Sequence, residues 1–333
     1  MIADRYHYEQ LNPEERKLYS TFYKGLVAYE KEITVPFSKP SSDVVNRVFH
    51  AITHDNPNLF YFNQTCLNYS LDWNRICFIP QYFCAEEQIR EYNSRIQICV
   101  NDILQQLDLV SCSEYKKVKR VHDYFAQNIT YDYEALHTSK VNRLVAAHSI
   151  IGVFAKQRAV CEGIAKAVKL ILNAANVACI VVSGNAFHNE QGGHSWNVVK
   201  IDGKAYHLDV TWDLTSSKNG FICYDYFNLT EVEIKRDHFD FESPICKSNE
   251  ANYFHKSKSY FQTIQEAERY LLSEIRRGST CVYFRIAEEG HPMQLIMNTL
   301  QQFALSEIAS KRQKTVISGS FNQQQRTGVL FFS

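Results

Sequence analysis

Between Gly192 and Asp213 the chain reads GGHSWNVVKIDGKAYHLDVTWD. Asp202-Gly203 sits between two β-forming runs, the composition of a two-residue type I′ turn whose central residues both take positive φ. That turn predicts a register in which Ile201 faces Lys204, Val198 faces His207, Trp196 faces Asp209 and His194 faces Thr211. Side chains alternate across a strand, so His194, Trp196, His207, Asp209 and Thr211 are expected on one face. His194 and Asp209 are then diagonal neighbours, roughly 7–8 Å apart at the backbone, a gap that one hydrogen bond between leaning side chains can close. A one-residue slip would send them to opposite faces. Ionisable groups in a mostly apolar sheet need partners. Two readings stay open: a His–Asp pair that pins the hairpin, or an imidazole held in one tautomer with its second nitrogen free to act as a base.

A poised base needs a nucleophile or a metal. Upstream, QRAVCEGIAKAVKLILNAANVACIVVSG carries Ile164, Val168, Ile171 and Leu172 at helical spacing, with Cys161 at the helix start. A thiol there is favoured as thiolate by the unpaired N–H groups and the helix dipole. Gly163 is expected to leave the first turn uncrowded for a substrate. The order Cys161, His194, Asp209 is then nucleophile, base and orienting carboxylate on helix, strand and strand. A single cysteine on a helix also serves as a small core hydrophobe, and ten cysteines make its position before a histidine cheap. A metal site on these ligand types lacks an obvious fourth ligand nearby, so no metal is expected. His207 is read as structural and Asp213 as capping a loop.

The balance of charge narrows the partners. Lys plus Arg and Asp plus Glu number 36 each, and no basic run occurs, which argues against nucleic acid. The N-terminal MIADRYHYEQLNPEERK has no apolar signal region, and no stretch is apolar enough to span a membrane. The ten cysteines contain no CxxC pair, so free thiols and a cytoplasmic location are expected, without a membrane partner. The oligomeric state is not legible.

Along the chain, Asn12-Pro13-Glu14-Glu15 predicts a helix start. Pro36 and SKPSS break that helix. Ser42 to Thr53 predicts a second helix, NLFYF and RICFIPQYF strands, and Glu86 to Leu107 a long helix. A further helix opens after Ser111–Ser113. The tail from about 258 predicts helix, strand, helix and a final hairpin. Three regions follow: a mixed α/β stretch over 1–110, a core over 111–257 and a C-terminal αβαββ stretch over 258–333.

The blocks AVCEGIAKA and GGHSWNVVKIDGKAYHLDVTWD, with VHDYFAQNITYDY before them and YDYFNLT after, resemble the transglutaminase-like superfamily with its papain-related Cys-His-Asp fold. The resemblance covers about residues 113 to 230 and is like that of a bacterial transglutaminase-like domain protein. It implies an α+β fold, a helix bearing Cys161 packed on an antiparallel sheet bearing His194 and Asp209, with flanking α/β segments. It implies a cysteine-dependent amide hydrolase or acyl transferase that forms a thioester on peptide or protein amides and needs no cofactor. The alternative is a non-catalytic binding or scaffold module of the same fold. Glycanase-like or arylamine-acetyltransferase-like activity fits the residues around Cys161 less well. The Cys161 backbone N–H is a natural oxyanion donor, and papain-like enzymes suggest Gln157 as a second, although a solvated loop role fits it too. Trp196 and Trp212 either wall the cleft or pack the sheet, and Tyr131 and Tyr133 are expected to line the cleft. The loop Asn185 to Gly193 either gates access or simply enters the hairpin. Nothing resembles the calcium sites of animal transglutaminases; Asp237, Asp240 and Glu242 read as a solvated loop.

Overall fold

The computed structural model describes residues 5–187, 193–309 and 316–333. Near the N-terminus Asn12 accepts from the backbone N–H groups of Glu14 and Glu15, and Glu15 accepts from that of Asn12. This capping box starts the Pro13–Val27 helix where the sequence placed it. Ser41 caps Ser42–Asp55 through the Val44 N–H. The region differs from expectation in its strands. Ile33–Pro36, Arg75–Phe78 and Tyr69–Asp72 form a three-stranded antiparallel sheet with Arg75–Phe78 in the middle. The helix has already ended at Val27, so Pro36 ends a strand and does not break the helix. Residues 58–62 form a buried turn with one bridge, Phe62 to Tyr82, instead of a strand. Phe60 and Phe62 are fully buried there, and an apolar run by itself does not distinguish strand from packed turn.

The central sheet has four antiparallel strands in the order Lys204–Leu208, Gly193–Ile201, Cys179–Ala186, His238–Phe239. Asp202 and Gly203 take φ of 49° and 82°. Ile201 pairs with Lys204 and Val198 with His207, as the turn chemistry predicted. The ladder ends earlier than expected. Leu208 is the last strand residue, and Val210–Ser216 is a short helix. Asp209 caps that helix by accepting from the Trp212 N–H at 3.1 Å. Thr211 is therefore helical, not a strand partner of His194.

The Cys161–Ala174 helix packs on this sheet. Asn197 joins the two, its amide donating to Ala165 O at 2.9 Å and Ile180 O at 3.1 Å. Buried apolar residues from Leu11 to Ala251 form one continuous cluster. A second cluster runs from Ala267 to Leu330. It lies under the sheet Tyr260–Phe261, Cys281–Ile286, Thr327–Phe332, Ile317–Asn322, with helices Ile264–Arg277 and Met293–Ala309. The two clusters are bridged by polar contacts. Arg285 Nη1 donates to Glu233 at 2.8 Å, and Gln325 Nε2 to Asp237 at 3.0 Å. The architecture is α+β. Among the described residues, no helix is long and apolar enough to cross a membrane.

Candidate active site

Cys161 is the first residue of its helix. The preceding Val160 offers no side-chain cap, so the first-turn N–H groups are left to other partners. The Cys161 sulphur lies close enough to the His194 ring and the Tyr131 hydroxyl to raise both groups. On its other side His194 Nε2 donates to Asp209 Oδ2 at 2.7 Å. With Nε2 engaged, Nδ1 is the nitrogen left for the thiol. The structure thus brings together the three residues singled out from the sequence, at 9%, 4% and 0% exposure for Cys161, His194 and Asp209. Asp209 reaches His194 from a helix cap, not from the strand face expected for it.

Burial would push the His194 ring down. The Asp209 carboxylate and the Cys161 sulphur outweigh it and raise the ring to about 10. Burial pushes Asp209 up, but His194 and His238 together hold it well below the ordinary carboxylate range. Burial, and then the nearby Cys161 sulphur, raise the Tyr131 phenol.

The remaining expectations divide. Trp212 is half-buried and stacks near the His194 ring, with centroids 5.4 Å apart. Trp196 lies beside His194 at 5.8 Å but is a core residue at 1% exposure, its indole N–H donating to His207 Nδ1 at 3.0 Å. His207 is fully buried in that role, on the predicted face. Gln157 is exposed and left-handed, with φ 51°, at the end of the Ile150–Lys156 helix; its carbonyl accepts from the Thr130 N–H. Tyr133 is exposed and packs on Tyr131 at 4.8 Å. Gly163 does not open the first turn. A Cβ there would lie 2.3 Å from Ala147 O and 2.9 Å from Ser149 O, so glycine is needed for close packing. Asp213 does accept from the Tyr226 N–H of a loop, but it is fully buried and also accepts from His122 Nε2 at 3.1 Å. Residues 188–192 of the Asn185–Gly193 loop lie outside the described residues.

Two polar groups at the site were not legible in the sequence. Glu162, beside the cysteine, accepts from the buried Lys166 at 2.6 Å and from His148 at 2.9 Å. Burial pushes Glu162 up, and Lys166 first, with His148, holds it down at about 2. The acid-rich loop expected to be solvated places Asp237 and His238 in the interior, at 1% and 0% exposure, while Asp240 and Glu242 are exposed. His238 Nε2 donates to Asp209 Oδ2 at 3.2 Å. Asp237-His238 was the signal available, an ionisable pair beside strand-forming residues, but its burial depends on strands far away in sequence. Among the described residues, His194, Asp209 and His238 are the group whose potential metal-ligand atoms lie within 4.8 Å of one another. Asp209 Oδ2 already accepts from both rings, so hydrogen bonding accounts for the cluster.

No curated protein matches the chain. Solved structures that are similar include a crystal structure of a "TGase", at 19% identity over 56% of this chain and 52% of that one, with a TM-score of 0.31. A second is described as a candidate cysteine protease from Cytophaga hutchinsonii, at 12% identity over 47% of this chain and 64% of that one, TM-score 0.29. A third is described as a candidate protease from Parabacteroides distasonis, at 14% identity over 53% of this chain and 39% of that one, TM-score 0.27. The matched part thus spans less than two thirds of each of these structures. Residues 102–210, which hold Cys161, His194 and Asp209, match the model of the transglutaminase-like superfamily.

Proposed function

We propose that the chain is a cysteine-dependent acyl-transfer enzyme, with Cys161 as nucleophile, His194 as general base and acid, and Asp209 as the carboxylate that orients His194. One observation carries this reading: a thiol at an uncapped helix start within reach of an imidazole whose other nitrogen is held at 2.7 Å by a buried carboxylate. A structural pin needs only the His–Asp pair; the thiol at the free nitrogen is what chemistry requires.

The steps follow from the protonation states. With the ring raised to about 10, His194 holds the proton at neutral pH and sulphur attacks an amide carbonyl as thiolate. The S–C bond forms, and the oxyanion is met by N–H groups of the helix start, that of Cys161 first. The Tyr131 hydroxyl, in reach of Sγ, is a second donor of the right kind. The imidazolium passes its proton to the departing amine as the C–N bond breaks, leaving a thioester. His194 then takes a proton from water or an incoming amine, which attacks the thioester and expels the thiolate. Water gives hydrolysis and an amine gives a new amide. Peptide or protein amides are the proposed substrates.

Acyl trapping tests this. An activated acyl donor, a p-nitrophenyl ester, should add one acyl group to the protein, mapped by peptide mass spectrometry to Cys161 and lost in Cys161→Ala. Adding a primary amine then reads the partition between hydrolysis and transfer. Acylation unchanged in Cys161→Ala would overturn the proposal.

A further inference from the structure

Asp209 has more partners than an orienting carboxylate needs. Its Oδ1 accepts from the Trp212 N–H at 3.1 Å. Its Oδ2 accepts from His194 Nε2 at 2.7 Å and again from His238 Nε2 at 3.2 Å. Three donors on two oxygens leave the carboxylate no rotation that keeps all of them.

His238 is held as firmly as the group it touches. The ring is fully buried. It lies 4.5 Å from Trp212 and 4.8 Å from Trp196, centroid to centroid, so it has no room to swing. Its Nδ1 shares a hydrogen bond with Asp237 Oδ1 at 2.6 Å. Asp237 Oδ2 in turn accepts from Tyr226 Oη at 2.8 Å and Gln325 Nε2 at 3.0 Å. Tyr226 Oη accepts from Asn322 Nδ2 at 3.1 Å. Asn322 ends the Ile317–Asn322 strand, and Gln325 lies in the turn that joins it to the last strand. One line of hydrogen bonds therefore runs from His194 to the C-terminal region. A merely satisfied core histidine accounts for the bond to Asp237. It does not account for a second nitrogen aimed at an oxygen already engaged by His194.

We propose that His238 is a positioning residue: anchored by Asp237, it shares Asp209 Oδ2 with His194 and locks the carboxylate that orients the base. The titratable groups that face it are Asp209, Asp237, His194, His207 and Tyr226. The inference rests on the cysteine-enzyme reading, and makes the C-terminal turn part of the site's support.

The test is the rate of iodoacetamide alkylation at Cys161, read by peptide mass spectrometry on the full chain, together with the downfield proton resonance of the His194 Nε2–H. His238→Leu, with no donor toward Asp209, should slow alkylation by roughly tenfold or more, the scale seen when a hydrogen-bonded outer partner is removed. His238→Gln, which keeps an N–H donor, should recover part of that loss. The His194 resonance should move in the leucine variant. Tyr226→Phe removes one donor from Asp237 while keeping the ring, and should slow alkylation by a smaller factor; it decides the matter if the His238 variants do not fold. Folded variants that alkylate at the wild-type rate, with the resonance unmoved, would overturn the inference while leaving the enzyme reading intact. A wild-type Cys161 no faster than the exposed Cys66 would instead overturn the enzyme reading. The resonance would then still report on whether His238 holds Asp209.

Discussion

Asp209→Asn is nearly isosteric, yet the amide cannot serve the same donors. In the native site Oδ1 accepts from a backbone N–H and Oδ2 from two imidazoles. Whichever way an amide is turned, its NH2 group points at one of those sets. If the nitrogen faces His194, the ring must present Nε2 as an acceptor and carry its proton on Nδ1, toward the thiol, which is the wrong tautomer for a base. The magnitude follows from the charge lost. His194 sits at about 10 against an ordinary 6.5, a difference worth on the order of 5 kcal/mol at about 1.4 kcal/mol per unit. In serine-protease triads the same exchange lowers turnover about 10⁴-fold. Alkylation needs the thiolate but no proton donor, so a smaller loss is expected, roughly ten- to a thousandfold at pH 6.

Stability gives a second reading of the same variant, with its sign set by linkage. A raised imidazole contributes stability that is fully present below 6.5 and lost as pH rises through about 10. The depressed Asp209 contributes stability present above 3.8 and lost as pH falls through its folded value. Asp209→Asn should therefore lower the melting temperature at pH 6 and flatten its decline between pH 6.5 and 10. The assay is a pH series of thermal melts beside site-resolved alkylation. A variant that keeps both the wild-type alkylation profile and the wild-type decline would refute the argument that Asp209 holds the charge and tautomer of His194.

Other expectations are independent of that pair. Gly163→Ala forces a Cβ against two backbone carbonyls, and should cost about 1–3 kcal/mol by chemical denaturation and slow Cys161 alkylation by shifting the helix start. Lys166→Met removes a partner of Glu162, leaving a poorly paired carboxylate; a loss of about 3 kcal/mol is expected, with the Glu162 titration, read by carbonyl-labelled NMR, moving up from about 2. Gln157→Ala should leave alkylation of Cys161 unchanged, since the side chain is exposed, and should change stability by no more than about 0.5 kcal/mol, since glutamine and alanine both carry a Cβ in the left-handed conformation.

What the sequence revealed was local. The Asp202-Gly203 turn sets its own register through the φ values its residues adopt, so the sequence alone places His194, Trp196 and His207 on one face. The same holds for Asn12 and Glu15, whose capping box needs only four consecutive residues. The C-terminal helices and strands, with their strong periodicity, are legible for the same reason. The end of the second hairpin strand is not. HLDVTWDLT is rich in β-forming Val, Thr and Trp, and the decision that Asp209 caps a helix rests on packing against distant elements. Asp237 reads as solvated because its hydrophilic surroundings suit a loop. Its burial is conferred by Tyr226 and Gln325, the latter 88 residues away, and His238 goes inside with it. Gly163 reads as an opening because a sequence does not display the carbonyls of Ala147 and Ser149 that press on it.

The most direct measurement is the alkylation rate of each of the ten cysteines in the folded protein between about pH 5 and 9, with His194→Ala beside the wild type. Exposure alone would favour Cys66, which is at the surface, over the buried Cys161. The reverse is expected at pH 6: Cys161 labels fastest, and His194→Ala abolishes its lead. If Cys161 follows its burial and lags behind Cys66 at every pH, with His194→Ala making no difference, the site is not an activated thiol and the account fails.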